Sequence, residues 1–257
     1  MEGELIYEKV RLSLENLKMS AALAALDNVL ETARLEELSP LATMDRLLDI
    51  EQTSRHVRRV EANMKFAGLP YRQGLDAFNF EAQPSIDPQL VGRLATLRFL
   101  EEGTNVLLLG PPGVGKTALA VGLGMKALEA GHRISFLACH DLVLRHKRAS
   151  RADREDRFLT TLLRPHLLIL DEIGYTPLER PEATFLFELV AKRYERRKPI
   201  IVTSNKSWGA WGDILPDQVM TAAILDRLLH RSVTLNIQGE SYRLREHRKA
   251  GLVPRTS

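Results

Sequence analysis

A chain of 257 residues with ordinary apolar content can bury one substantial core plus a smaller appendage, and no stretch approaches the roughly 20 apolar residues that span a bilayer. Its single cysteine, Cys139, excludes an internal disulfide and argues against a cysteine-based zinc site, while a net charge of +3 says less about polyanion binding than the clustering of Arg and Lys does. The acid-containing start, MEGELIYEKV, lacks an apolar signal core, so a cytoplasmic protein is expected.

Residues 1–66 read as a small helical domain. Leu12, Leu14, Leu17, Met19, Leu23, Leu26 and Leu30 recur at loosely helical spacing. Ser39-Pro40 then supplies an N-cap followed by proline at the first helical position, and the helix it opens runs to about Met64, before Gly68-Leu69-Pro70. Its polar side carries Arg55, His56, Arg58, Arg59 and Lys65, which is either a solvated face or a nucleic-acid contact. Residues 67–90 hold Pro70, Pro84 and Pro88 with weak periodicity and read as a linker laid onto the next domain, where Phe78 and Phe80 either pin it or pack beside a nucleotide base. A single helix is expected from about Asp87 to Glu101, opening a domain that spans 91–251.

That domain is organised around Asn105–Thr117, NVLLLGPPGVGKT. Four apolar residues, Val106 to Leu109, read as a buried parallel strand, and the helix-forming run after Lys116 completes a strand–loop–helix unit. The turn between them, Gly110-Pro111-Pro112-Gly113-Val114-Gly115-Lys116-Thr117, with Ala118 beginning the helix beyond, fits the full phosphate-binding pattern. Glycines let successive N–H groups curl around a phosphate, and the helix N-terminus adds partial positive charge. Lys116 can reach the β- and γ-phosphates and Thr117 can ligate Mg²⁺, so the chain is read as binding a nucleoside triphosphate.

Further strands are expected at Ile134–Cys139, Leu167–Glu172, Pro199–Asn205 and Ser232–Ile237, with an amphipathic helix over Glu182–Arg197. The alternation predicts an α/β fold, a parallel five-stranded sheet with helices on both faces. The third strand ends in Asp171-Glu172, where an open parallel sheet keeps its ligand. Asp171 there can hold the Mg²⁺ water shell and Glu172 can polarise a water for in-line attack, unless the two are simply solvated acids. The fourth strand ends in Thr203-Ser204-Asn205, where a polar side chain either orients that water or senses the γ-phosphate, unless this is a plain turn after a strand. Arg227 and Arg231, four apart on a helix, are candidates for an arginine finger or for internal salt bridges, and Arg243 and Arg245 form a second candidate pair for phosphate sensing.

Taken together and in order, GPPGVGKT, LLILDEIGYTPL, RYERRKPIIVTSN, AILDRLLHRS and GESYRLRE closely resemble the IstB-type ATP-binding proteins of bacterial insertion sequences. These resemble in turn the helicase loader DnaC and the initiator DnaA, within the AAA+ class. The resemblance implies an ATP- and Mg²⁺-dependent AAA+ ATPase that assembles as a homo-oligomer on double-stranded DNA, with weak sequence preference, and prepares that DNA for a partner transposase. It assigns metal and water roles to Asp171 and Glu172 and the first sensor role to Asn205; Arg227 leads as finger, with Arg231 second, and Arg243 falls in the second-sensor block. About twenty residues follow Ile237, so the helical lid is expected to be reduced or absent. The resemblance also gives context to Leu144–Arg157: if helical, Lys147, Arg151 and Arg154 form one basic stripe toward DNA, with Arg145 and Arg148 nearby. Arg55, Arg58 and Arg59 are the alternative DNA contacts, and a plain charged helix is the bland one. The terminal stretch 252–257, LVPRTS, resembles a protease-site remnant of recombinant expression.

Three other functions compete. A DnaC-like helicase loader would use the N-terminal helices to grip a helicase; a small-molecule kinase would need an acceptor pocket and lid that the sequence lacks; a nucleotide-gated adaptor would have little use for Glu172.

Overall fold

The computed structural model describes residues 2–242. The chain forms two compact units that divide between Ala62 and Asn63.

The first unit holds α1 (Glu2–Asn16), α2 (Ser20–Leu35) and most of α3 (Pro40–Phe66). Leu14, Ala22 and Leu26 form its small core, packed with Tyr7, Met19, Leu23 and Leu47. Lys18, at φ 55°, breaks the leucine-rich run into two helices, and the Ser39 hydroxyl accepts from Ala42 N at 3.2 Å, the expected cap of α3. Met19, at the N-cap of α2, has no side chain able to cap it. Glu51 of α3 does so instead, its buried carboxylate accepting from Ala21 N at 2.9 Å and Ala22 N at 3.1 Å.

In the second unit, residues 67–90 are built into the core rather than strung across it. Ala67, Leu75 and Ile86 are buried, and Phe136 N donates to Ala67 O at 2.7 Å. The single helix expected over 87–101 is two, α4 (Pro88–Ala95) and α5 (Arg98–Glu102), because Leu97 sits at φ 64° between them. Asp87 caps α4 by accepting from Gln89 N at 2.9 Å.

Five parallel strands follow: β1 (Asn105–Leu109), β2 (Ile134–Ala138), β3 (Leu167–Ile173), β4 (Ile200–Ser204) and β5 (Ser232–Asn236), in the order β2-β3-β4-β1-β5. Side chains alternate across each strand, and both faces are apolar. Val106, Leu108, Ile169 and Ile201 pack with α4, α5 and α6 (Lys116–Glu129). Leu107, Leu168, Leu170 and Val202 pack with α7 (Cys139–Arg151), α8 (Glu155–Leu163), α9 (Arg180–Glu195) and α10 (Gln218–His230). β4 lies between β1 and β3, so its C-terminal end falls between the phosphate loop and the Asp-Glu pair.

Arg193 of α9 is wholly buried and ties four carbonyls together, those of Leu162, Pro165, His166 and Pro199, at 2.8 to 3.3 Å. Burial alone pushes its pKa down to about 9. Arg193→Met strands those acceptors, and a loss of about 3 kcal/mol or more is expected in denaturant titration of the full chain. A loss under about 0.5 kcal/mol, the size of an ordinary surface substitution, would contradict this role.

Candidate functional site: a phosphate loop against an Asp-Glu pair

The phosphate loop leaves β1 and enters α6 with Gly115 as N-cap, at φ 95°. A side chain there would be strained and would crowd the Phe78 ring, whose Cε2 lies 2.8 Å from the position of a Cβ. Gly110 is equally constrained, since a Cβ would meet Ile237 O at 2.1 Å. Lys116, 7% exposed, turns back on the loop: Nζ donates to Gly110 O at 2.6 Å and Pro111 O at 2.7 Å. Burial holds its pKa below the usual lysine range, while Asp171 and Glu172 pull it back up.

A cavity of about 300 Å³ opens over this loop. Pro112 through Ala118 line one wall, Glu172 and Thr203 another, and Tyr71, Phe78, Gln83 and Tyr242 a third. The segment 67–90 thus lines the cavity, with Phe78 rather than Phe80 facing it.

Asp171 ends the apolar run of β3 and is buried. Its carboxylate accepts from Thr117 Oγ1, at 3.0 Å to Oδ1 and 3.1 Å to Oδ2, and from Thr203 Oγ1 at 2.5 Å. Burial raises its pKa; the two hydroxyls and Lys116 oppose that rise. Glu172 is set apart by a β-bulge. From Leu170 to Ile173 the register advances three residues on β3 against two on β4, and Glu172, at φ 62°, is the extra one. The bulge leaves its side chain exposed at the cavity wall while both neighbours stay buried.

Of the polar strand end Thr203-Ser204-Asn205, Thr203 rather than Asn205 joins this group; Asn205 does not line the cavity. Asn205 is half-buried beside Gly174, with Oδ1 buried and without a hydrogen-bond partner among the described residues. Cys139 is core packing, and burial lifts its thiol to about 11.

The arginine candidates separate. α10 ends at His230, and Arg231 is its extended C-cap, so Arg227 and Arg231 do not share a helical face as expected. Arg227 Nη1 donates to Ala223 O at 2.8 Å, and its guanidinium lies 5.0 Å from the Phe187 ring centre. Asn105, the first residue of β1, donates through Nδ2 to Leu228 O at 3.0 Å, which puts the end of α10 at the opposite edge of the sheet from the loop. One five-residue strand, about 16 Å, separates them. Arg231 is exposed. Arg243 and Arg245, the expected reduced lid and the terminal stretch lie outside the described residues.

The basic stripe is broken. α7 stops at Arg151, Asp153 turns the chain at φ 53°, and Arg154 is the N-cap of α8, off the helix that carries Lys147. Lys147 is also engaged, 3.3 Å from Glu179 and 3.6 Å from Glu182. What α7 presents instead is Arg145, Arg148 and Arg151, three apart, exposed and without an ion pair among the described residues. In the first unit Arg55 and Arg58 serve the fold: both bind buried Glu51, at 2.7 and 3.3 Å, and Arg55 also donates to Lys18 O and Arg58 to Ser20 Oγ. Arg59 contacts His56.

Thr117 and Asp171 supply a hydroxyl and a carboxylate in contact, and among the described residues no cluster of three His, Cys, Asp or Glu offers a cage for a metal. That sparse oxygen set fits Mg²⁺, which keeps several waters and takes the remaining ligands from phosphates.

Comparison with known proteins agrees with this geometry. The model of the IstB-like ATP-binding protein family matches residues 12–250. The putative ATP-binding protein of insertion sequence IS21 from Pseudomonas aeruginosa is 46% identical over 244 residues, 95% of this chain and 92% of that protein. That of IS5376 from Geobacillus stearothermophilus is 44% identical over 218 residues, covering 85% of this chain and 86% of its own. Among solved structures, the DnaC helicase loader superposes with a TM-score of 0.52 at 24% identity, over 66% of this chain and 96% of its own. AMPPCP-bound DnaA from Aquifex aeolicus gives 0.55 at 18% identity, over 73% and 58%. At such identities these two establish the fold alone, an α/β core with a parallel sheet. The phosphate loop, the sheet order and the match along nearly the whole length lead to one conclusion: the chain belongs to the IstB-like family of insertion-sequence ATP-binding proteins.

Proposed function

We propose that this protein is a Mg²⁺-dependent ATPase that assembles on duplex DNA and readies it for a partner transposase. The observation that carries the hydrolytic part is the bulge that delivers Glu172 to the cavity beside Asp171, opposite Lys116. The insertion-sequence names of relatives that cover most of this chain support the transposition setting over helicase loading.

In this reading the ammonium of Lys116 exchanges its two loop carbonyls for the β- and γ-phosphate oxygens. Thr117 and Asp171 would hold Mg²⁺, which when bound would supply positive charge to offset that of the phosphates. The carboxylate of Glu172 accepts the proton of the water that attacks the γ-phosphate. Arg227 lies too far from its own loop to reach that phosphate, so a finger at this position acts on the neighbouring protomer's ATP, which makes self-association part of the activity.

DNA contact is assigned to Arg145, Arg148 and Arg151, the exposed cations of α7. No Phe, Tyr or Trp lies between them for stacking on bases, and the His146 ring is buried against Phe185, so phosphates are the target and binding is steep in salt and weak in sequence preference. Replacing the three by Gln is expected to flatten the log–log salt slope of duplex binding by about two to three units, at roughly 0.9 per contact. Lys147→Gln, whose ammonium is already held by Glu179 and Glu182, should leave the slope within about 0.3 of wild type. Coincident slopes for the triple variant and wild type would remove α7 as the DNA surface.

A further inference from the structure

Along β4 the side chains of Ile201 and Thr203 point to the face that carries α6, and Val202 to the other. Ile201 is core, and the first three residues of this central strand, Ile200, Ile201 and Val202, are all apolar and β-branched; Thr203 puts a buried hydroxyl on the same face as Ile201. A buried hydroxyl is costly unless bonded, and both of its bonds go to the acidic pair. Glu172 N donates to Thr203 Oγ1 at 2.8 Å, and the one hydroxyl proton then goes to Asp171 Oδ1 at 2.5 Å.

Each bond meets a specific need. The bulge carries Glu172 out of the regular β3–β4 register, and Thr203 accepts from its N–H where the ladder is interrupted. The second bond is short and charge-assisted, and it fixes the carboxylate that Thr117 also touches. One side chain therefore sets both the orientation of the metal-side acid and the backbone that aims the water-side acid.

We propose that Thr203 is the positioning residue of the hydrolytic site, a clasp that holds Asp171 for the metal and Glu172 for the water. The proposal rests on the roles given to those two acids above. It adds a residue whose hydroxyl is already bonded to both acids and acts through them.

The test compares Thr203→Val, the same shape without the hydroxyl, with Thr203→Ser, the hydroxyl without the methyl, in the full chain. In Mg²⁺ titrations of the binding of a fluorescent ATP analogue, Val should raise the half-maximal Mg²⁺ concentration about tenfold or more, as loss of a metal ligand's hydrogen-bond partner does. In ATPase assays with duplex DNA, kcat should fall about 10- to 100-fold while KM for ATP at saturating Mg²⁺ holds, since Lys116 and the loop are untouched. Ser should restore both readings to within a few-fold. A purely structural role would lower the melting temperature and leave the Mg²⁺ half-point where it is.

A Val variant with wild-type Mg²⁺ dependence and kcat would overturn the clasp. If Val does not fold by circular dichroism, Thr203→Ala against Thr203→Ser makes the same comparison. If the wild type itself does not hydrolyse ATP on DNA, the hydrolytic reading falls, and the Mg²⁺ dependence of binding still decides whether Thr203 holds Asp171.

Discussion

Lys116→Ala is expected to abolish ATP binding, and Glu172→Gln to keep binding while cutting hydrolysis by about 10²-fold or more. The two substitutions divide the site between its phosphate-holding and water-activating halves. Lys116 is buried at the head of α6 with both of its bonds to loop carbonyls, and the described loop wall of the cavity, Pro112 to Ala118, offers no second fixed cation to the β/γ-phosphates. Glutamine at 172 keeps the bulge, because the bond that supports it runs from the backbone N–H to Thr203 and not from the side chain. Only the ability to take a proton is lost. Equilibrium binding of a fluorescent ATP analogue, beside phosphate release with duplex DNA present, checks both. Near-normal turnover by the Glu172→Gln protein would move the base elsewhere.

Arg227→Ala should bind ATP as wild type does and hydrolyse it about 10³-fold more slowly, the loss typical of a missing finger. Mixing it with Lys116→Ala should recover part of the activity, since an intact loop on one protomer can then face an intact Arg227 on the next. The geometry forbids the simpler alternative of action within one chain: Arg227 sits at the β1 start, a strand's length of about 16 Å from its own loop. To serve a neighbour its guanidinium must leave the Phe187 ring and Ala223 O, two modest contacts at a half-buried position. No recovery at any mixing ratio, with assembly verified by light scattering, would transfer the role to exposed Arg231.

Much of the nucleotide site is legible in the residues because its parts are contiguous. A phosphate loop needs glycines, lysine and threonine at fixed offsets between a strand and a helix, and all lie within Gly110–Thr117. The strands announce themselves as apolar runs because both sheet faces are covered, and Asp171-Glu172 stands out as acid ending such a run. Periodicity does not reveal where a helix breaks. Nothing in the spacing around Leu97 or Asp153 foretells a left-handed residue, so one expected helix became two, and the Lys147–Arg154 stripe lost its last member.

What the sequence alone determined here is the chemistry that neighbouring residues carry: a loop for phosphate, an acid pair at a strand end, and a parallel α/β sheet to hold them. What the tertiary structure decided is which polar groups are spoken for. Thr203 meets Asp171 across 32 positions, Lys147 meets Glu179 across 32, and Phe78 comes to face Gly115 through a segment that reads as linker. Arg55 and Arg58 are cations on a helix in any reading of the chain, yet Glu51 claims them because it is buried at the start of α2, where Met19 cannot cap. A charge or hydroxyl advertises its type in the sequence, but whether it is free for a ligand depends on partners brought close only by packing, since burial without a partner is too costly to persist.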